Sequence, residues 1–273
     1  MSNLNSSWFS ILAGAVGITA VVVACGGGDS RSRRAIRGVA KEVEKSGDEG
    51  GAAAAADEKS IDPAKSGTIT GFVRWGGGAV LPVKIDFSGT ADCARASKET
   101  VFEEFVVVNP DNTVCNALVS IDTADVYAPP AEPAVVDQIG CKYVPHVFAV
   151  MAGQKVKIKN SDATMHNVHY IPLGDINTED NFGMTGVGVR ERTFESNDWI
   201  KFKCDVHPWM NAWCAVRTHP FFAVTGSDGK FTINNVPAGT HKLVLKHEKL
   251  GEQSVSITVE VGKVATHEFT LKQ

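Results

Sequence analysis

The run Cys204–Met210 constrains the fold of this chain more than any other segment. It places Cys204, His207 and Met210 within seven residues, so one tight loop can direct all three side chains at a single ion. A helix would also align them, but Pro208 in its interior would cost about 3 kcal/mol. The sequence therefore predicts a loop between two strands.

The flanking segments have the pattern of strands. Residues 199–204 alternate apolar and polar side chains, and residues 212–216 are rich in residues that suit strands. Residues 156–160 alternate in the same way, just before a turn. If His166 begins the next strand, His166 and His169 point to opposite faces, because successive side chains alternate. We expect His166 to reach the metal and His169 to be structural.

With His166 added, the loop supplies one thiolate, two imidazoles and one thioether. This is the ligand set of a mononuclear blue-copper site. The sulfur ligands stabilise Cu(I), imidazole suits both oxidation states, and one electron can be exchanged with little rearrangement. The sequence predicts one type 1 copper ion held by His166, Cys204, His207 and Met210.

Other chemistries fit this spacing less well. Structural zinc sites are closed by cysteine and histidine rather than by methionine. A binuclear copper centre needs a second bridging cysteine close to Cys204, and Ile200 and Pro208 stand at the positions concerned. A thiol enzyme would need an orienting residue and an oxyanion hole, and the sequence has no signature of either. We therefore expect no enzymatic activity.

Both motifs resemble those of amicyanin and plastocyanin-like cupredoxins. The resemblance rests on Met165-His-Asn-Val-His-Tyr, on Cys204-Asp-Val-His-Pro-Trp-Met and on Lys142-Tyr-Val-Pro-His, and it spans residues 141–217. The short Cys-x2-His-x2-Met loop is the amicyanin form. Met165 stands where amicyanin has proline, and Trp209 where it has phenylalanine.

The resemblance implies a Greek-key β-sandwich with the metal at one end. His166, Cys204 and His207 would be the equatorial ligands and Met210 the axial one. Asn167 would steady the thiolate loop, in keeping with the tuning of metals by residues around their ligands. Met165 and Met184 are rival axial sulfurs.

The expected function is the transfer of single electrons between a redox protein donor and an acceptor, through an exposed edge of His207. Pro208 and Trp209 would form a small apolar docking face beside it. One alternative is copper binding and delivery. Another is a structural or adhesion protein with a vestigial copper fold. The net charge of −4 and the absence of a basic stripe argue against nucleic acid as a partner.

Residues 1–25 are predicted to be a lipoprotein signal or a membrane anchor. Trp8 to Ala24 form an apolar run of seventeen residues, followed by Cys25 in a context that resembles a bacterial lipobox. An uncleaved transmembrane helix is the alternative. We expect an exported, membrane-anchored protein on the periplasmic or cell-surface side, lipidated at Cys25.

The remaining chain divides into a linker and β-rich segments. Residues 26–66 are rich in Gly, Ala, Ser and charge, which predicts a flexible linker. Residues 67–114 would supply N-terminal strands, residues 115–217 the copper domain, and residues 218–273 a series of hairpins. The hairpins resemble carboxypeptidase regulatory-like, transthyretin-like sandwiches, with Asp228-Gly-Lys-Phe and Val236-Pro-Ala-Gly as the moderately specific signals.

The first strand of such a sandwich resembles Gly67-Thr-Ile-Thr-Gly-Phe-Val-Arg. We therefore expect either a copper domain inserted between that strand and the hairpins or a simple tandem. Four cysteines remain after Cys25 and Cys204 are set aside, and they permit three pairings. A disulfide between Cys93 and Cys141 is favoured, because Cys214 lies in a predicted core strand; the other pairings stay open.

Overall fold

The computed structural model describes residues 58–97 and 99–272, and the predicted all-β class is confirmed within them. The predictions for residues 1–25, including lipidation of Cys25, lie outside these residues, as does most of the predicted linker. The last part of that linker is ordered by the fold, since Pro63–Lys65 form a 3-10 turn capped by Asp62. None of the helices in the described part of the chain has the length and apolar character needed to cross a bilayer.

Besides the 3-10 turn, sixteen strands and one six-residue helix make up the described regular structure. They are β1 (Ser66–Trp75), α1 (Ala91–Ala96), β2 (Leu118–Ile121), β3 (Ala134–Ile139), β4 (Lys142–Val144), β5 (Val147–Met151), β6 (Lys155–Asn160), β7 (His166–Pro172), β8 (Asp180–Met184), β9 (Gly188–Thr193), β10 (Asp198–Lys203), β11 (Asn211–Arg217), β12 (Phe222–Val224), β13 (Lys230–Pro237), β14 (Gly239–His247), β15 (Gly251–Val259) and β16 (Val264–Leu271).

Strands β3 to β11 form the first sandwich, which we call the metal sandwich. One sheet has the order β4-β3-β6-β9 and the other the order β5-β11-β10-β7-β8. Their inner faces share one apolar core, in which Val156 and Ile158 of β6 alternate with lysines that face outward. This period-two pattern is the reason that the segment folds as a half-buried strand.

The remaining strands form the second sandwich. Its sheets have the orders β13-β1-β16 and β12-β2-β14-β15, with a separate core between them. Strand β1 pairs antiparallel with β13 and parallel with β16. At Gly71 a Cβ would lie 1.7 Å from the carbonyl oxygen of His267, so the close approach of β1 and β16 requires glycine there.

The metal sandwich thus lies between β2 and β12 in the chain. Strand β2, which falls inside the range 115–217 expected for the copper domain, pairs with β12 and β14 of the second sandwich. By strand pairing the metal sandwich begins at β3. The reason is that β2 is buried on both faces: Val119 and Ile121 pack in the core of the second sandwich, whereas Leu118 packs against the metal sandwich.

The two sandwiches are joined by a buried contact. Leu118 packs with Val147, Trp199 and Ala215 of the metal sandwich in one small apolar cluster. Beside it, the side chains of His146 and Glu248 are only 3% and 2% exposed and form a direct pair across the junction. This polar pair and the apolar cluster fix the outer face of the β5-β11-β10 sheet against the second sandwich.

Candidate metal centre

The predicted ligands are brought together at one end of the metal sandwich. Strand β7 begins at His166, and β10 ends one residue before Cys204. The two strands pair antiparallel, with Lys203 opposite His169, so both ligand segments meet at the same edge. The loop after Cys204 is closed by two backbone bonds, from Cys204 N to Met210 O (3.1 Å) and from Met210 N to His207 O (2.9 Å).

Three donor atoms converge at this edge. Nδ1 of His166 lies 3.0 Å from Nδ1 of His207, and the Sγ atom of Cys204 lies 3.7 Å from the same His207 nitrogen. The donor atoms of these three residues are all within 4.8 Å of one another. One soft thiolate and two imidazoles facing a common point are the donors that copper requires, so the residues present fit that ion.

The orientation of His166 is fixed by a carboxylate that sequence reasoning missed. Asp162 Oδ2 lies 2.8 Å from Nε2 of His166, and the same carboxylate accepts backbone N–H groups of Gly140 and Cys141 at 2.8 and 2.9 Å. Burial opposes protonation of His166, but the Asp162 carboxylate and the Cys204 sulfur together outweigh it and raise the His166 pKa above its ordinary value. The bond to Nε2 leaves Nδ1 facing the centre.

Cys204 is held as a potential thiolate. Burial opposes its ionisation, but the neighbouring His166 and the backbone N–H of Asn167, 3.3 Å from Sγ, lower its pKa below the ordinary value. The side-chain oxygen of Asn167 also accepts the N–H of Asp205 at 2.9 Å. Asn167 therefore touches the thiolate loop twice, at the position where the resemblance places a steadying residue.

Met210 is the buried sulfur of the loop. It is 1% exposed, and its backbone closes the loop on both sides. Of its rivals, Met165 is 44% exposed, whereas Met184 is buried opposite His166 on β8. The Met184 sulfur already accepts a hydrogen bond from Gln138 Nε2 at 3.2 Å. These contacts favour Met210 as the fourth donor.

His207 is not exposed, contrary to expectation. It is 2% exposed, and the pKa of its ring is lowered by burial and by the neighbouring His166. The segment around α1, which the strand pattern did not reveal, covers it. The sulfur atoms of the Cys93–Cys141 disulfide lie within 4.8 Å of a His207 ring nitrogen.

The segment around α1 also buries part of the apolar face that was expected to dock a redox partner. Pro208 is exposed, but Trp209 is half-buried, and its indole N–H donates to the carbonyl of Cys141 at 3.0 Å. Phe87 packs edge-to-face on Trp209 with ring centroids 5.2 Å apart. Together, residues 86–97 form a cover segment over His207, held by Phe87 and by the disulfide.

His169 lies away from the centre, as strand alternation requires. Its ring contacts Asp205 at 3.1 Å and Glu179 at 2.6 Å on the outer face.

No sequence signal marked the cover segment, because its apolar residues are few. One sequence feature could have identified Asp162 as a partner of His166: it lies four residues before His166, in the turn that separates β6 from β7.

Comparison with known proteins gives partial structural similarities. No protein-family model matches the chain, and no curated protein matches it. A copper-containing nitrite reductase from Thermus scotoductus SA-01 shares 18% identity over 36% of this chain, with a TM-score of 0.29. The match spans 25% of the length of that reductase.

Two smaller proteins match over almost their whole length. A purple cupredoxin from Nitrosopumilus maritimus shares 22% identity, with 30% of this chain and 98% of that chain covered and a TM-score of 0.27. Amicyanin from Paracoccus versutus shares 25% identity, with 36% and 97% covered and a TM-score of 0.28. Similarity at this level does not establish membership of a family.

Proposed function

We propose that this chain is a mononuclear type 1 copper protein that carries single electrons between redox proteins. The observation that carries the proposal is the convergence of His166, Cys204 and His207 within 4.8 Å, with buried Met210 closing the same loop. Copper bound by these residues would supply reversible one-electron chemistry. The chain supplies the donors, the depressed pKa of Cys204 and the orientation of His166.

The surroundings of the centre favour retention of the ligands. His166 and His207 are 0% and 2% exposed, and Cys204 is 2% exposed, so water is excluded from the donor atoms. The hydroxyl of Tyr143 lies 3.1 Å from the carbonyl oxygens of Asn167 and Lys203, which ties the two ligand-bearing strands together. A rigid, dry centre suits an ion that changes charge without changing ligands.

Copper delivery is the second candidate, and it rests on the same ligands. The covered His207 argues against it, because an ion held for delivery must leave readily. The two functions are distinguished by the rate at which a strong chelator removes Cu(I) from the loaded protein. Release that is fast compared with reoxidation of the centre would favour delivery over electron transfer.

We further propose that the chain is exported and tethered to a membrane through residues 1–25, with the second sandwich as a structural or partner-binding module similar to carboxypeptidase regulatory-like domains. The apolar run before Cys25 supports the tether, and the hairpins with Asp228-Gly and Val236-Pro support the module. Mass spectrometry of the membrane fraction tests the tether: an acylated N-terminal Cys25 is expected, and an unmodified peptide from residues 1–25 contradicts lipidation.

The visible spectrum tests the copper proposal. The protein loaded with Cu(II) should show an intense blue thiolate-to-copper band that is lost in Cys204→Ser and in His166→Ala. Cys214→Ser is the matched control, because Cys214 is the other free buried cysteine of the described chain and lies in the core of β11. A colourless, weakly bound complex in the unaltered protein, or loss of colour only with Cys214→Ser, would contradict the proposal.

A further inference from the structure

We propose that electrons pass through a basic cleft beside Cys204 rather than at His207, and that this cleft docks a redox protein with an acidic surface. This inference deepens the proposed copper function and rests on it. It starts from the closure of the His207 side by the cover segment, where Phe87, Trp209 and the Cys93–Cys141 disulfide leave His207 2% exposed.

The loop that carries the thiolate opens instead onto a cleft of about 320 Å³. Cys204, Asp205 and Pro208 line it from the metal sandwich, and Lys249 lines it from the second sandwich. The rate of electron tunnelling falls steeply with distance. A partner seated in this cleft would therefore lie next to the ligand residue that bonds copper most covalently, the cysteine thiolate.

The charges of the cleft select the partner. Lys201, Lys203 and Lys249 all line it. Lys203 is neutralised by Asp205 at 2.8 Å, but within residues 58–97 and 99–272 neither Lys201 nor Lys249 forms an ion pair. Lys249 lies instead over the ring of Phe105, 4.5 Å from its centroid.

The one other carboxylate of the cleft does not cancel these charges at the surface. The side chain of Glu248 is 2% exposed, and its oxygens are engaged by His146 and by the indole N–H of Trp213 at 2.9 Å. Two lysines that form no ion pair within the described residues therefore line the cleft. Such a lining attracts anions over distances of a Debye length, about 10 Å at 0.1 M salt.

The first test maps the cleft without copper. Hexacyanochromate(III), a paramagnetic trianion, is added to the metal-free full-length protein, and broadening of backbone amide and tryptophan indole N–H signals is recorded by NMR. We expect selective broadening at Lys201, Asp205 and the Trp213 indole, and its loss in the double variant Lys201→Glu/Lys249→Glu. Broadening centred on the cover segment, or spread evenly over surface lysines, would overturn the proposal.

The second test measures rates in the copper-loaded protein. Oxidation by anionic hexacyanoferrate(III) should slow about tenfold at low ionic strength in Lys201→Glu/Lys249→Glu, and the difference should vanish at high salt. Oxidation by the cationic tris(phenanthroline)cobalt(III) should not slow. The matched control is Lys155→Glu/Lys157→Glu, which makes the same change of net charge on the other sheet of the metal sandwich.

The outcomes separate the two proposals. If the loaded protein lacks the blue band, the copper function fails, whereas the NMR result still decides whether the cleft binds anions. If the band is present but the control variant slows equally, the cleft is not the electron port. If inorganic phosphate blocks the reaction saturably, beyond chloride at equal ionic strength, the cleft is a small-anion site and protein docking is rejected.

Discussion

Asp162 fixes the orientation of His166 at the centre. It accepts one imidazole and two backbone N–H groups from a position four residues before His166. In Asp162→Asn the side chain keeps one acceptor oxygen but loses its charge and its second acceptor. We expect copper affinity to fall about 10- to 100-fold, as for other partners of metal-bound histidines, with the blue band retained.

Competition with a chromophoric copper chelator measures this change. Asp228→Asn is the control, since Asp228 lies in an exposed turn of the second sandwich with 59% of its side chain accessible. Equal affinities in all three proteins would show that Asp162 does not position His166.

Two buried histidines far from the centre are expected to make the stability of the protein sensitive to acid. Burial lowers the pKa of His219 and of His247 to about 4, whereas an unfolded histidine titrates near its ordinary value of 6.5. Between these values the unfolded chain binds more protons, so the free energy of unfolding must fall as the pH falls from 6.5 towards 4. Each histidine should remove about 2 kcal/mol at pH 5.

Urea unfolding of His219→Asn at pH 7 and pH 5 tests this expectation. Asparagine retains an acceptor for the N–H of Phe221, which His219 Nδ1 accepts at 3.1 Å, but it does not titrate. The variant should lose about 2 kcal/mol less than the unaltered protein between the two pH values. Parallel losses in both proteins would rule out His219 as the source.

At the scale of elements, the cover segment is fastened chiefly by one covalent bond. Helix α1 has six residues and no side-chain cap. Besides Cys93, the hydrogen bonds that link it and its C-cap to the metal sandwich are one that Asp92 accepts and one that Ser97 donates. The Cys93–Cys141 disulfide closes a loop with a sequence separation of 48. In the chain-entropy estimate such a link stabilises the fold by about 4 kcal/mol.

The double variant Cys93→Ser/Cys141→Ser should therefore unfold at a lower urea concentration, by about 4 kcal/mol in free energy. It should also release copper to a chelator faster, because the cover over His207 is loosened. Cys214→Ala, which removes a buried cysteine without removing a cross-link, is the comparison for both measurements. Unchanged release from the double variant would mean that the cover does not control access.

The sequence predicted the parts of the centre that are local in the chain. The Cys204 loop and the alternation that selects His166 over His169 both follow from spacing and strand period. The burial of His207 did not, because it depends on a segment more than a hundred positions earlier, fixed by a disulfide and one aromatic contact. Asp162 has an ordinary turn sequence, and its role arises only when β3, β4 and β7 come together.

At the scale of the whole molecule, the two sandwiches depend on each other through Glu248. Glu248→Gln removes one of the two acceptors that serve His146 and Trp213 in a junction with little exposure. We expect a loss of about 1–3 kcal/mol in stability, the usual cost of a buried group left without its partner, and no change in the blue band.

Urea unfolding followed by tryptophan fluorescence measures the stability, and Glu252→Gln on exposed β15 is the control. If the two variants are equally stable, the His146–Glu248 pair contributes nothing to the free energy of unfolding.

The pairing of β1 with β13 and β16 has a consequence for the order of events during synthesis. Ser66 finds its partner Pro237 only after the whole metal sandwich has left the ribosome. Strands β3 to β11 can fold into the metal sandwich first, while the backbone hydrogen-bonding groups of β1 and β2 remain unpaired. Nascent chains stalled before β13 emerges from the ribosome should therefore display a folded metal sandwich beside an unpaired β1, and the risk of misassembly between neighbouring chains on a polysome should be greatest at this stage.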